Sequence, residues 1–544
     1  MSLSANPARD ESGSATHPQS TGPRRVGILL GWLAFLAIGC AAFWRSGASQ
    51  DYKNVSLQAA LVAGIAGISV WTIRSSGLPR RLRWTLALLA WCPLWIVSPF
   101  GPIELINNGN TGVAGWRWRW GVKPDERLAM VEARPKQRLE WRTTPQDYPG
   151  FLGGNYWAEV KGVQLDPDWT KSPPKELWRK PIGAGWSGFA VVGQYAVTQE
   201  QRGDHELVVC YDMKTGDVAW AHADEARWDP GGGGALGGVG PRATPVIHEG
   251  RVYTQGATGI LNCIDASTGD LIWSHDTLKE YGAGNVHWGK AGSPLIVDEW
   301  VVLSVGGVDE HSLVAFAQAD GKQVWAAGSR RSSYATPVLT ELASVRQIVV
   351  VNEESITAHE AATGKKLWEY PWPGNSDGNA SASQPVPVGG DRVFLSKGYG
   401  IPAEVIQVQR DEAAKGESEW VVDRVWRKPV LRTKLGNVVI HDGHIYGIDD
   451  IDMECVELET GKRQWKKRRR PEFGHGQIIL VGEAILVLSE SGELVLLEAT
   501  PDEFRELTSL QVLEGVTWNN PALSGSTLLV RNAEEVACYE LPTK

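Results

Sequence analysis

The hydrophobic pattern changes character along the 544 residues. Three unbroken apolar runs come early: "VGILLGWLAFLAIGCAAFW" (26–44), "VSLQAALVAGIAGISVWTI" (55–73) and "LRWTLALLAWCPLWIVSPF" (82–100). Each has 19 residues, close to the roughly 20 that a helix needs to cross a bilayer. From about residue 166 onward the apolar runs become short and are punctuated by Gly, Asp and Asn, which is the pattern of strands and tight turns. Residues 1–25 are polar, rich in Ser, Pro and Thr, and predict a disordered terminus. Residues 101–165 carry neither pattern for long and read as a linker.

The short-run region repeats itself. "CYDMKTGDVAW" (210–220) returns as "CIDASTGDLIW" (263–273), "AFAQADGKQVW" (315–325), "AHEAATGKKLW" (358–368) and "CVELETGKRQW" (455–465). Each copy places Trp four residues after a turn Gly. Another copy is eroded and ends at Trp426, and one around "LLEATPDEF" has lost its signature. Upstream of each copy stands a strand–turn–strand unit, so each repeat supplies four antiparallel strands. Second strands such as "VYTQG", "VVLSV", "HIYGID" and "TLLVRN" number eight, which predicts an all-β, eight-bladed propeller over 166–544. Trp178, Trp220, Trp273, Trp325, Trp368, Trp426 and Trp465 recur at intervals of 39 to 58 residues. The last repeat has only three strands before Lys544, whereas "KELWRKPIG" (175–183) is a Trp-bearing strand with no partner before it. Pairing the two would close the ring and leave no long free edge.

Charge adds orientation. Arg24 and Arg25 precede the first apolar run, and Arg74, Arg80, Arg81 and Arg83 cluster around the link between the second and third. The positive-inside rule puts both in the cytoplasm. Three spans then place everything after residue 100 on the far side, in the periplasm of a bacterial inner membrane. Gly39-Cys40 has the look of a lipoprotein cleavage site, but Ala37 stands where a large aliphatic residue is expected and two further spans follow. An uncleaved anchor is therefore the reading. A net charge of -9 gives no footprint for nucleic acid. Six cysteines, none in a C-x-x-C pair, give no zinc site or disulfide framework.

The D-x-x-T-G-K/D-x-x-W signature resembles the tryptophan-docking motif of the pyrroloquinoline-quinone (PQQ) propeller superfamily, over about 170–544. That superfamily includes quinoprotein alcohol dehydrogenases and BamB-type propellers of outer-membrane protein assembly. The resemblance implies that each repeat's Trp packs between neighbouring blades. It also implies two functional expectations: a non-catalytic binding or scaffold module on the periplasmic side, or a membrane-linked alcohol or sugar dehydrogenase using PQQ and Ca²⁺. The dehydrogenase pattern has adjacent cysteines and a carboxylate-rich cation site. This chain has no adjacent cysteines, and no acidic residue stands among the segments leading into the innermost strands. The expectation is therefore no cofactor, no metal and no catalytic residue, with a periplasmic or membrane protein, or a small polar ligand, as partner.

Several local patterns invite chemistry. Cys210, Cys263, Cys455 and Cys538 share a repeat position that also accepts Ala315 and Ala358, so they read as a small buried slot. "HDGH" (441–444) reads as a hairpin turn before it reads as a metal site. Asp212 and Asp265 read as turn caps. The glycine-rich "WDPGGGGALGGVGPRATP" (228–245) lacks the helix and Lys-Ser/Thr of a phosphate loop and reads as a lead-in to one inner strand. Such lead-ins bring Arg242, Trp288, Lys290, Tyr334, Gln384, Asn437, His475, Trp518 and Asn519 toward one end of the axis, as candidates for a polar or anionic ligand. "GWRWRWG" (115–121) alternates three Trp with two Arg. It reads as a strand packed on the propeller, with an interfacial belt at lipid headgroups as the alternative.

Overall fold

The computed structural model describes residues 22–544 apart from 47–49, 76, 111, 155–156, 231–236, 376–378, 412 and 415–418. Most of the terminus expected to be disordered, and part of the glycine-rich loop, therefore lie outside the described residues. The described chain divides into a helical unit ending at Phe100 and a second unit containing Gly101–Lys544.

In the helical unit, Gly22–Trp44 and Gln50–Ser75 are long helices. Two segments, Val26–Trp44 and Gln50–Arg74, are long and apolar enough to cross a membrane. The expected third span is not one helix, which corrects the count from three to two. Arg80–Leu89 ends, a turn follows at Ala90–Trp91, and Cys92–Ile96 adds only five residues. Pro93 accounts for the break: it has no N–H to donate, and its ring collides with the carbonyl four residues earlier, that of Leu89. It is accommodated instead in the first turn of the short helix.

The second unit is the eight-bladed propeller. Blades 1 to 7 are antiparallel meanders over 190–224, 246–276, 295–327, 338–371, 386–428, 439–467 and 477–511. Blade 8 takes three strands from 522–540 and its outermost strand, Lys175–Pro181, from before blade 1. The register there sets Cys538 opposite Trp178.

The same register explains the repeat. Cys210 faces Trp220, Cys263 faces Trp273, Ala315 faces Trp325, Ala358 faces Trp368 and Cys455 faces Trp465, each just before a bulge. The slot holds a small residue because the indole opposite leans over it toward the next blade. Trp178 Nε1 donates to Met213 O at 2.8 Å, Trp220 to Ala266 O at 2.8 Å, Trp273 to Gln318 O at 3.0 Å, and Trp426 to Leu458 O at 2.9 Å. Each acceptor belongs to the next blade's turn. The signature's Gly and Trp are thus partners across blades. Gly216 lies under Trp178, Gly269 under Trp220 and Gly321 under Trp273, and a Cβ on any of them would come within 2.8 Å of the indole. Their φ values of +68°, +76° and +74° also favour glycine. Burying one such indole contributes roughly 3 kcal/mol. Trp368 departs from the rule and donates within its own blade to Gln347 Oε1 at 2.7 Å, in keeping with the eroded signature of blade 5. Asp212 and Asp265 cap their turns through backbone amides.

The stretch expected as a linker has structure of its own. Ile103–Asn107 and Val113–Trp118 form a hairpin. Farther on, Tyr148 pairs with Val191 at the inner strand of blade 1, Pro149 O accepts from Ile247 N in blade 2, and Glu159–Val160 adds a parallel strand beside Leu480 and Val481 in blade 7. Leu165 then bridges to Thr543. Isolated polar and apolar residues suffice for this, because pairing to inner strands already in place needs no periodicity of its own.

Candidate functional site

The segments leading into the innermost strands are tied to one another by a belt of side-chain caps. Thr244 Oγ1 accepts from Gly188 N at 3.2 Å, Ser293 Oγ from Thr244 N at 3.0 Å, Thr336 Oγ1 from Ser293 N at 2.9 Å, and Asn437 Oδ1 from Gln384 N at 2.8 Å. All sit at the same register, just before the inner strand. A short polar side chain there satisfies an amide of the preceding blade that would otherwise be buried without a partner.

The nine sequence candidates distribute around this belt with different fates. Asn437 is a belt member. Asn519 donates to Ser187 O at 2.9 Å and Gly185 O at 3.3 Å. Arg242 donates to the carbonyls of Gly237, Gly238 and Gly240, so the glycine-rich loop wraps its guanidinium. Burial lowers its pKa to about 10. Lys290 donates to Val305 O and Ser332 Oγ, both at 2.6 Å, and burial lowers its pKa to about 8. Trp288 and Tyr334 pair their rings with centroids 5.5 Å apart. The Gln384 side-chain amide is buried with no protein partner among the described residues.

His475 and Trp518 meet residues that the candidate set omitted. Trp518 Nε1 donates to Glu490 Oε1 at 2.7 Å, and its ring lies 4.7 Å from that of Trp186. Glu490 Oε1 also accepts from Gly109 N at 2.6 Å. Gly109 and Asn110 are the tip of the hairpin. Lys434 Nζ donates to Gly109 O at 2.7 Å, and His475 Nε2 lies 2.9 Å from Asn110 Oδ1. That oxygen only accepts, so Nε2 carries the proton. Burial is the main cause holding the imidazole pKa down at about 4. A Cβ on Gly109 would fall 1.8 Å from His475 Cδ2, so only glycine fits this seat. The available signal was Asn108-Gly109 between two alternating runs, a strong hairpin pattern that went unread.

Beside the hairpin lies a cleft of about 540 Å³, lined by Trp186, Trp518, Val239, Glu514, Trp116 and Arg117 among others. Glu206, near Arg242, accepts from Ala257 N at 3.0 Å, and burial raises its carboxyl pKa to about 7. Among the described residues, one set of three His, Cys or carboxylate ligand atoms lies mutually within 4.8 Å: His441, Asp442 and Glu483. It sits at the far end of an inner strand from the lead-ins, with both carboxylates exposed. His444 turns its Nδ1 to Asp442 O at 2.8 Å. The cysteines are all free, and the four in the propeller are buried.

These residues do not fit PQQ held as the resemblance implies. No adjacent cysteines exist in the sequence. The carboxylate nearest the Trp186–Trp518 pair, Glu490, is engaged by Gly109, Trp518 and, at 3.4 Å, the His475 amide.

A family profile described as outer membrane protein assembly factor BamB matches residues 204–467. The quinohemoprotein alcohol dehydrogenase of Comamonas testosteroni is 26% identical over 189 residues, 32% of this chain and 24% of that protein. The dehydrogenase subunit of the quinone alcohol dehydrogenase of Komagataeibacter europaeus is 24% identical over 298 residues, 50% of this chain and 34% of that one. The outer membrane protein assembly factor BamB of Xanthomonas campestris is 29% identical over 111 residues, 20% and 27% of the two chains. The chain thus spans about a quarter to a third of the length of the curated relatives it matches. The crystal structure of BamB from Moraxella catarrhalis superposes with a TM-score of 0.49 at 13% identity, covering 68% of this chain and 100% of that one. With the docking tryptophans, the repeat register and the profile match in agreement, residues 204–467 carry the repeats of the PQQ-like, BamB-like β-propeller family.

Proposed function

We propose that the chain is a membrane-tethered, non-catalytic binding module whose propeller faces the periplasm. The observation that carries this reading is the state of the lead-in face. Apart from the Gln384 amide, its polar side chains are engaged mainly by the propeller itself and by the hairpin tip, with Gly109 held between Glu490, Lys434 and His475. A reactive site needs groups free to meet a substrate, whereas a binding disc needs a rigid surface. The relatives named as assembly factors support a protein partner. Periplasmic placement is read from the arginines at 24–25 and 74–83; beside the two long helices it requires the chain to return across the membrane after Arg83. Pull-down of the detergent-solubilised full chain tests the binding reading, and a stoichiometric partner is the expected result. A phosphatase fusion at Lys544 tests the topology, with activity expected.

The second reading is a PQQ-dependent dehydrogenase, favoured by relatives named as quinohemoprotein alcohol dehydrogenases. Titrating the purified chain with PQQ and Ca²⁺ while following dye reduction by short alcohols separates the two. Saturable binding with turnover would replace the first reading with the second.

A further inference from the structure

The hairpin has two unlike faces. Its register sets Ile103 opposite Trp118 and Leu105 opposite Trp116, and cross-strand partners share a face. The intervening pair, Glu104 and Arg117, points the other way and forms a two-pronged ion pair at 3.0 and 3.1 Å. Arg119 is likewise held from within, by Gly101 O at 2.9 Å and Ile103 O at 3.3 Å. Glu104 and Arg117 therefore match each other's charge within the hairpin, Arg119 is held by backbone carbonyls, and the aromatic face is left largely exposed. Trp116 is 61% exposed, Trp118 59% and Trp120, just past the strand, 76%. The expected strand is present, and its hairpin meets the propeller through the tip at Gly109, while the indoles stay largely exposed.

The exposure is unusual for this chain. The docking tryptophans are at most 9% exposed in blades 1 to 5 and 8. Every tryptophan counted as exposed among the described residues lies between Trp44 and Trp120. A two-stranded ribbon with one open aromatic face is marginal in water alone, so something covers it.

We propose that this face lies in the headgroup region of the bilayer, which makes the hairpin a second membrane contact for the propeller unit. The inference rests on the tether reading given above. Three observations favour lipid as the occupant. The hairpin's first strand starts three residues after Phe100, where the last apolar run ends. Three residues span at most about 10 Å, so the strand cannot leave the vicinity of that run. Tryptophan rather than Leu or Ile dominates the face, and an indole's apolar body with one N–H suits the boundary between acyl chains and headgroups. Arg117, on the opposite face, is neutralised by Glu104, and the Arg119 guanidinium is turned to backbone carbonyls, so neither is spent on the aromatic face.

The test uses the full chain in nanodiscs of phosphatidylethanolamine and phosphatidylglycerol. In a C40S/C92S background, a nitroxide is placed at W118C and, on the propeller surface, at V425C. Collision with oxygen and with a water-soluble nickel chelate then reports depth. The expected result is a nickel collision rate several-fold lower at 118 than at 425, with oxygen collision higher. Equal nickel access at both sites would overturn the proposal and leave a protein partner as the cover. W120C gives the same comparison if W118C fails to fold. Failure of the tether itself would look different, because the unlabelled chain would then leave membranes in a carbonate wash.

Discussion

Single residues carry the propeller's specificity for itself. Gly269 must be glycine twice over: its φ is +76°, and a Cβ would meet Trp220 at 2.8 Å. Gly269→Ala is expected to cost roughly 2–4 kcal/mol, read as a fall in the denaturant midpoint at unchanged slope. His475 makes a pH-dependent contribution whose sign follows from its burial. Its folded pKa of about 4 lies below the ordinary 6.5. Between those values the unfolded chain binds a proton that the folded chain does not, so stability is complete above pH 6.5 and lost as pH falls toward 4. The full effect is up to about 3 kcal/mol. In paired denaturation series from pH 7 to 4.5, His475→Gln should show a shallower loss than the parent. At this scale the sequence spoke clearly for the docking tryptophans and their glycines, because they repeat in register. It was silent on Glu490, Glu206 and Lys434, each of which occurs once and acquires its role only from a neighbour far along the chain.

Elements were legible where their periodicity is autonomous. The meanders, their turns and the strand count follow from local pattern, and the two long helices from apolar length. The third span failed on a single residue, Pro93, whose effect on the backbone outweighs the apolarity around it. The hairpin 103–118 was misread as linker because its polar tip looks like surface. That tip is instead a key cut to one seat. Gly109→Val places a branched side chain where His475 stands, so the hairpin should leave its seat without disturbing the blades. Amide exchange across Ile103–Trp118 should then rise roughly tenfold or more, while the melting of the blades changes little. Equal protection in both proteins would mean that the hairpin is held elsewhere.

At the scale of the molecule, one strand decides whether there is a ring. Lys175–Pro181 completes blade 8, and its Trp178 docks on blade 1 through Met213 O. Deleting it removes an outer strand and an inter-blade contact together, and bares the edge of Glu535–Glu540. A chain beginning at residue 190 should therefore lose cooperative melting or associate through that edge, as sedimentation would show. A monomer with a single sharp transition would mean that the circle closes by other means.

The same joint fixes how the disc yields to force. Blades 1 to 7 each take their four-stranded meander from one uninterrupted stretch of chain, but the meander of blade 8 is stitched from both ends of the domain. Tension arriving along the polypeptide from upstream first peels the Gly109 tip, Tyr148–Pro149 and Glu159–Val160 from the disc, and then meets the small latch of Leu165 with Thr543 and Asp166 N with Pro542 O. It then reaches the outer strand of blade 8, before the four-stranded meander of any other blade is opened. Pulled by its amino-terminal side in a single-molecule trap, the disc should release the 109–160 contacts, then open at this stitch in a short step and become an arc with seven meanders intact. Only afterwards should it unravel blade by blade.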